Sequence, residues 1–241
     1  MTPVEIIQDA LRRPLQSEDG DPVRIELLPG LTDAEIELFA SRLPCPLPPH
    51  IRELLAFCRG FEGASVEPVD FTGELDWEFT DAFPHGLPIG ADGFGNFWVA
   101  DLLPDSRDWA PIYFASHDPP VILHQSPSLE HFLTEVFKMD TPPFTSAIDD
   151  VHEDRLCEVW RHNPGVLPQE ECLASPDPEL AAFARQLDPS YEIFDLRAGE
   201  IGSGFSWGRY GPATEIRRFG TLPIFAMKRR KSLFQRLFGS Q

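Results

Sequence analysis

The side chains able to do chemistry in this sequence are seven histidines, four cysteines and 39 carboxylates spread over 241 residues. Cys45, Cys58, Cys157 and Cys172 show no C-x-x-C spacing, and no histidine stands at a zinc-finger distance from a cysteine pair, so they read as reduced, buried, small apolar residues. His117 and Asp118 form an adjacent His–Asp pair of the kind metal-dependent hydrolysis uses. His124 and His131 follow it, but predicted strand and helix boundaries separate them, and turn polarity is the expected role of the pair. Gly90, Gly93 and Gly95 give G-x-x-G-x-G with no long helix directly after, which is neither a dinucleotide fingerprint nor a phosphate cradle at a helix N-terminus. Ser203 to Gly208 does not place a serine at a strand–helix elbow. The expectation is therefore no catalytic residue, no metal and no cofactor.

Charge is the stronger signal. The formal net charge is −19, yet from Ile216 onward there are seven basic residues and no acidic one. The preceding part carries 13 basic and 39 acidic side chains, a net of −26. A body this acidic repels phosphates, so no nucleic-acid partner is expected, whereas a basic protein would be attracted and its encounter accelerated. Within this body Glu62, Glu67, Asp70, Glu74, Asp76, Glu78 and Asp81 surround Phe71, Trp77, Phe79 and Phe83. Aromatic anchors within a field of carboxylates suit protein recognition, and Glu74, Asp76, Trp77, Glu78 and Asp81 are the expected partner-binding residues. The basic tail Lys228 to Phe238 is expected to pair with the acidic body or to be disordered, ahead of contact with a membrane surface or nucleic acid, and its Ser232 to Phe238 is expected to be a short amphipathic helix too small for stable membrane insertion.

These residues must be positioned by elements whose signals alternate along the chain. Thr2 caps a helix over Pro3 to Arg13, and Val23 to Leu28 reads as a short strand. Thr32 and Glu35 form a capping box ahead of Ile36, Phe39, Ala40 and Leu43. Pro44 to Pro49 breaks the helix, and Pro49 opens the next, over His50 to Arg59, with Gly60 expected as its left-handed terminator. Strand-like runs follow at Val66–Phe71, Gly86–Gly90, Phe97–Leu102, Pro111–Ala115 and Val121–His124. Between the second and third of these, Gly90, Asp92, Gly93, Gly95 and Asn96 are expected to build a tight turn, since Asp and Asn bond to nearby backbone and glycine accepts positive φ. Leu129, Phe132, Leu133, Val136 and Phe137 then repeat at helical spacing and must dock on the sheet. Helices over Ile148 to His162 and Pro178 to Leu187, a strand over Tyr191 to Leu196 and glycine-punctuated short strands ending at Ala226 complete the pattern.

The order of these signals over residues 30 to 137 resembles the SMI1/KNR4 (SUKH) family. Leu47-Pro48-Pro49-His50-Ile51-Arg52-Glu53-Leu54-Leu55 with Arg59-Gly60-Phe61-Glu62-Gly63 is similar to its helix and turn. Leu87 to Asp101 is similar to its strand–turn–strand, Pro111 to Phe114 with His117-Asp118 to its next strand and turn, and Ser128 to Phe137 to its closing helix. Arg59 stands where Asn or Asp is commoner, and residues beyond about Asp140 have no counterpart. The resemblance implies an α+β fold with a mainly antiparallel sheet and helices packed on one side. The expected organisation is a SUKH-like domain at 1–138, with the resemblance clearest over 30–137, and a C-terminal α+β extension of unknown type at 139–241 that ends in a basic tail and on which the resemblance is silent. The resemblance further implies a non-catalytic protein-binding role, foremost an immunity protein neutralising a cognate bacterial toxin, with a basic toxin domain compatible with the charge. The alternatives are a regulatory or scaffold protein of the SMI1/KNR4 type and, last, a hydrolase using the C-terminal half. The start of the chain has no apolar stretch behind a basic leader, so a cytoplasmic location is expected.

Overall fold

A computed structural model describes residues 1–75, 79–211 and 214–229. Helix α1 (Pro3–Arg12) opens the chain and is closed at its N-terminus by a reciprocal cap: the Thr2 amide donates to Glu5 Oε2 at 2.8 Å, and the Glu5 amide to Thr2 Oγ1 at 3.2 Å. A two-stranded ribbon of β1 (Leu15–Gln16) and β2 (Pro22–Val23) leads into β3 (Glu26–Pro29). The same capping device, Thr32 with Glu35, starts α2 (Asp33–Ala40), and Pro49 stands at the first position of α3 (Pro49–Phe57).

A continuous meander follows: β4 (Cys58–Glu62), β5 (Val69–Asp70), β6 (Gly86–Ala91), β7 (Phe97–Asp101), β8 (Ile112–His117) and β9 (Pro120–Ser126). Helix α4 (Leu129–Met139), capped by Ser128, closes it. Next come α5 (Ala147–Asp149), a π-helical turn at Asp150–Arg155 and α6 (Leu156–His162), running on without a break. Then follow α7 (Gln169–Leu173), α8 (Pro178–Gln186), β10 (Tyr191–Asp195), β11 (Gly204–Phe205), β12 (Ile216–Arg218) and β13 (Ile224–Lys228).

The strands form a large antiparallel sheet in the order β11-β9-β8-β7-β6-β5-β4-β3 and a small one in the order β10-β13-β12. Side-chain alternation divides the large sheet into two faces. Trp98, Ala100, Ile112, Phe114, Val121 and Leu123 point to the helical layer, where they meet Ile51, Leu54, Leu55, Phe132, Leu133 and Val136. Val99, Tyr113, Ala115 and Ile122 point the other way, onto Phe194, Phe205, Phe225 and Met227 around the small sheet. The far side of the small sheet is covered in turn by Cys172, Phe183, Ala184 and Leu187 of α7, α8 and the turn after it. The α+β fold with a mainly antiparallel sheet is thus as expected, and the helices of the first 140 residues share one face.

Several expectations need correction. Gly60 does not end α3 in the left-handed conformation; it lies inside β4, an unanticipated strand, paired with Asp70. A Cβ there would stand 2.0 Å from the Val69 carbonyl oxygen, so glycine is needed for the close approach of two strands. Gly90 likewise lies in a strand, at an irregularity of the β6–β7 register, rather than in the turn. Phe71 and Phe83 are core residues, not surface anchors.

Residues after Asp140 are closely joined to what precedes them. Ile148, Val151, Leu156 and Val159 belong to the same buried cluster as α1 to α4. Gly204 and Phe205 add the edge strand next to β9, and the Asn163 side chain accepts the Ser206 amide at 2.9 Å. A buried ion pair fastens the small sheet: Arg218 donates to both Asp101 oxygens at 2.9 and 2.6 Å, and the two side chains are 4% and 1% exposed. Its remaining donors reach the carbonyls of Ala82, Thr221 and Leu222, and its guanidinium lies near the Phe83 and Phe225 rings. Full pairing is what makes so deep an arginine tolerable.

Candidate partner-binding surfaces

The β5–β6 connection carries the residues expected to bind a partner. Glu74 is exposed, with its carboxylate 3.6 Å from the Arg59 guanidinium. Asp81 is exposed on the rim of a shallow cavity that Arg217 and Arg218 also line. Asp76, Trp77 and Glu78 lie outside the described residues. Of the aromatic residues around them, Phe79 is half-buried and packs edge-on against Trp207, with ring centroids 5.6 Å apart.

The opposite end of β6 holds a more sharply built feature, the hairpin turn from Asp92 to Asn96. Asp92 Oδ1 accepts the amides of Phe94 at 2.9 Å and Asn96 at 3.2 Å, while Oδ2 accepts from the Asn96 side-chain amide at 2.5 Å. Gly93 and Gly95 take φ of +75° and +86°, which a side chain would resist. Asn96 is buried, and its Oδ1 accepts the His117 amide at 3.0 Å, tying the turn to the β8–β9 connection. A Cβ at Gly95 would come within 3.1 Å of the His117 ring. Burial pushes the Asp92 carboxyl up, but hydrogen bonds from His152, Asn96 and the backbone amides outweigh it and hold the group down at about 2.

This rigid turn presents Phe94, 80% exposed, at its tip. Single exposed apolar side chains are ordinary, so exposure alone says little. What distinguishes Phe94 is the fixed backbone beneath it. His152 of the π-helical turn lies 3.5 Å from Asp92 and packs on Phe114, and the same turn carries Asp150, Glu153 and Asp154. Burial raises the Asp149 carboxyl, and repulsion from Glu153, Glu18 and Asp150 raises it further, a direct sign of crowded negative charge.

Residues 30–135 match the SMI1 / KNR4 family (SUKH-1). The match covers a little under half of the chain and includes both the β5–β6 connection and the Asp92–Asn96 hairpin. No curated protein and no solved structure matches the chain. Within the SMI1/KNR4 region the strand–turn–strand over Leu87 to Asp101 is the β6–β7 hairpin, and the closing helix is α4. The acidic π-helical turn lies beyond the region but packs against it through Val151 and His152.

His117 and Asp118 are both exposed at the β8–β9 turn, and the His117 ring faces Asn96 at 3.1 Å. His124 is buried against Tyr113, and His131 faces the Ser126 hydroxyl at 3.1 Å, so the three histidines do not converge. The exposure of Phe94 is not legible in the sequence, because its neighbours Asp92, Gly93, Gly95 and Asn96 read only as turn formers. An aromatic residue between Gly93 and Gly95 in a turn braced by Asp92 and Asn96 is the local signal. The approach of His152 to Asp92 joins segments 60 residues apart and has no local signal. Among the described residues no helix is long and apolar enough to cross a membrane.

Proposed function

We propose that this protein is a non-catalytic binding protein that neutralises a cognate bacterial toxin by stoichiometric occlusion, acting in the cytoplasm as an immunity protein. The observation that carries the reading is the exposed Phe94 on a turn pre-organised by Asp92 and Asn96, set in a region of SMI1/KNR4 type. Domains of this type act largely as immunity proteins, so the family match and the acidic body support one another. A rigid anchor loses little entropy on binding, and the net negative charge of the chain attracts a basic partner. The β5–β6 connection, with Glu74, Asp76, Trp77, Glu78 and Asp81, is the second candidate contact.

The test is binding of the purified chain to toxin domains encoded beside its gene, by surface plasmon resonance at low salt. A 1:1 complex is expected, with an on-rate that falls as salt rises. Phe94→Ala combined with Glu153→Lys should weaken it at least tenfold if the hairpin end is the interface. Asp76→Lys combined with Glu78→Lys should do so if the β5–β6 connection is. No complex with any neighbouring toxin domain would overturn the function, and full binding by both double variants would overturn both surfaces.

A further inference from the structure

We infer that His50, Asp108 and Glu130 form a binding site for a divalent transition-metal ion of the zinc class. The three residues come from distant parts of the chain. His50 is the second residue of α3, Asp108 lies in the β7–β8 connection, and Glu130 lies in the first turn of α4. His50 Nε2 stands 3.0 Å from Asp108 Oδ1 and 3.8 Å from Glu130 Oε1, and one ligand atom from each residue lies within 4.8 Å of the others.

Those separations suit a tetrahedral ion. Zinc bonds to imidazole nitrogen and carboxylate oxygen of about 2.0–2.1 Å place neighbouring ligand atoms roughly 3.4 Å apart. The observed distances from His50 lie on either side of that value, so small side-chain adjustments complete the geometry. The backbone is prepared for it. Pro48 and Pro49 fix the entry to α3, Ser128 caps α4, and the Trp109 amide donates to Asp108 Oδ1 at 2.7 Å, orienting the carboxylate. Trp109 is itself buried against Phe39, with ring centroids 6.1 Å apart, which anchors the connection.

The charge balance also points to a cation. Among the described residues neither Asp108 nor Glu130 has a lysine or arginine within ion-pair distance; their shared neighbour is the single imidazole. The side chains are 28%, 40% and 27% exposed, which leaves a fourth position open to water from the solvent side. Imidazole nitrogen together with carboxylates selects zinc-like ions over magnesium and calcium, which take oxygen ligands throughout. A bound ion would join α3, α4 and the β7–β8 connection on the helical side of the sheet.

The experiment is zinc titration of the EDTA-treated, dialysed full chain, by competition with a chromophoric chelator and by calorimetry. One zinc ion per chain is expected, with a rise in thermal midpoint as zinc is added. His50→Ala, and separately Asp108→Asn combined with Glu130→Gln, should weaken binding at least tenfold and remove the thermal shift. Cys157→Ser, which alters an exposed thiol elsewhere, should change neither. The conservative carboxylate pair keeps the test decisive should His50→Ala fold poorly. Zinc binding undiminished in these variants, no stoichiometric zinc at all, or displacement of zinc by equimolar magnesium would overturn the assignment.

Discussion

His124 should make the folded state sensitive to mild acid. It sits on β9 with 2% of its surface exposed, its ring edge-on to Tyr113 at 5.6 Å, and its Nδ1 has no hydrogen-bond partner among the described residues. Burial, and secondarily the neighbouring His131, push its pKa from the ordinary 6.5 down to about 4. Between those values the unfolded chain takes up a proton that the native chain does not. Stability is therefore fully present above about pH 6.5 and falls as pH drops toward 4, at roughly 1.4 kcal/mol per pH unit from this residue. The full loss is about 3 kcal/mol. Asp140 and Asp149, whose carboxyls are raised mainly by burial, act in the opposite sense as pH falls toward 3.8, so the wild type must be compared with a variant that changes His124 alone. His124→Phe keeps the ring and removes the titration. Urea unfolding followed by tryptophan fluorescence, from neutral pH to about pH 4.5, should show a variant whose stability declines less steeply, the two curves converging by about 2–3 kcal/mol. Parallel curves across that window would refute the claim that His124 is held neutral by the fold.

The Arg218–Asp101 pair should be among the costliest single contacts to break. Arg218→Met leaves a buried carboxylate and three carbonyls without their donor, which should cost about 3–5 kcal/mol and lower the thermal midpoint by roughly 10 °C. Adding Asp101→Leu should recover part of that loss, and a single variant as stable as wild type would refute the pairing. Gly204→Ala should detach the edge strand, because its Cβ would stand 2.0 Å from the Ile122 carbonyl oxygen. A cost toward the upper end of ~1–3 kcal/mol is expected, with faster amide exchange over residues 199–206, and unchanged exchange there would show that β11 does not hold this seam.

What the sequence alone determined is local. Thr2 with Glu5 and Thr32 with Glu35 specify helix starts because both partners lie within one turn. Leu129 to Phe137 specifies an amphipathic helix, and Asp92 to Asn96 specifies its own turn, because spacing and backbone hydrogen bonds suffice in each case. The acidic body and the basic residues after Ile216 needed only counting. Tertiary structure decided everything that depends on chain reversal. Cys58 to Glu62 resembles the end of a helix, yet β3 and β5 pair with it and turn Gly60 into a strand contact. Ile112 to Ala115 gives no clean alternation, because helices cover one face of β8 and the small sheet covers the other. Phe71 and Phe83 carry an acidic sequence context but lie in the core, since burial follows from packing and not from neighbours along the chain. The same holds for His50, Asp108 and Glu130 and for Arg218 with Asp101. Each residue is unremarkable in its own segment, and its chemistry appears only when folding brings the segments to within a few ångströms.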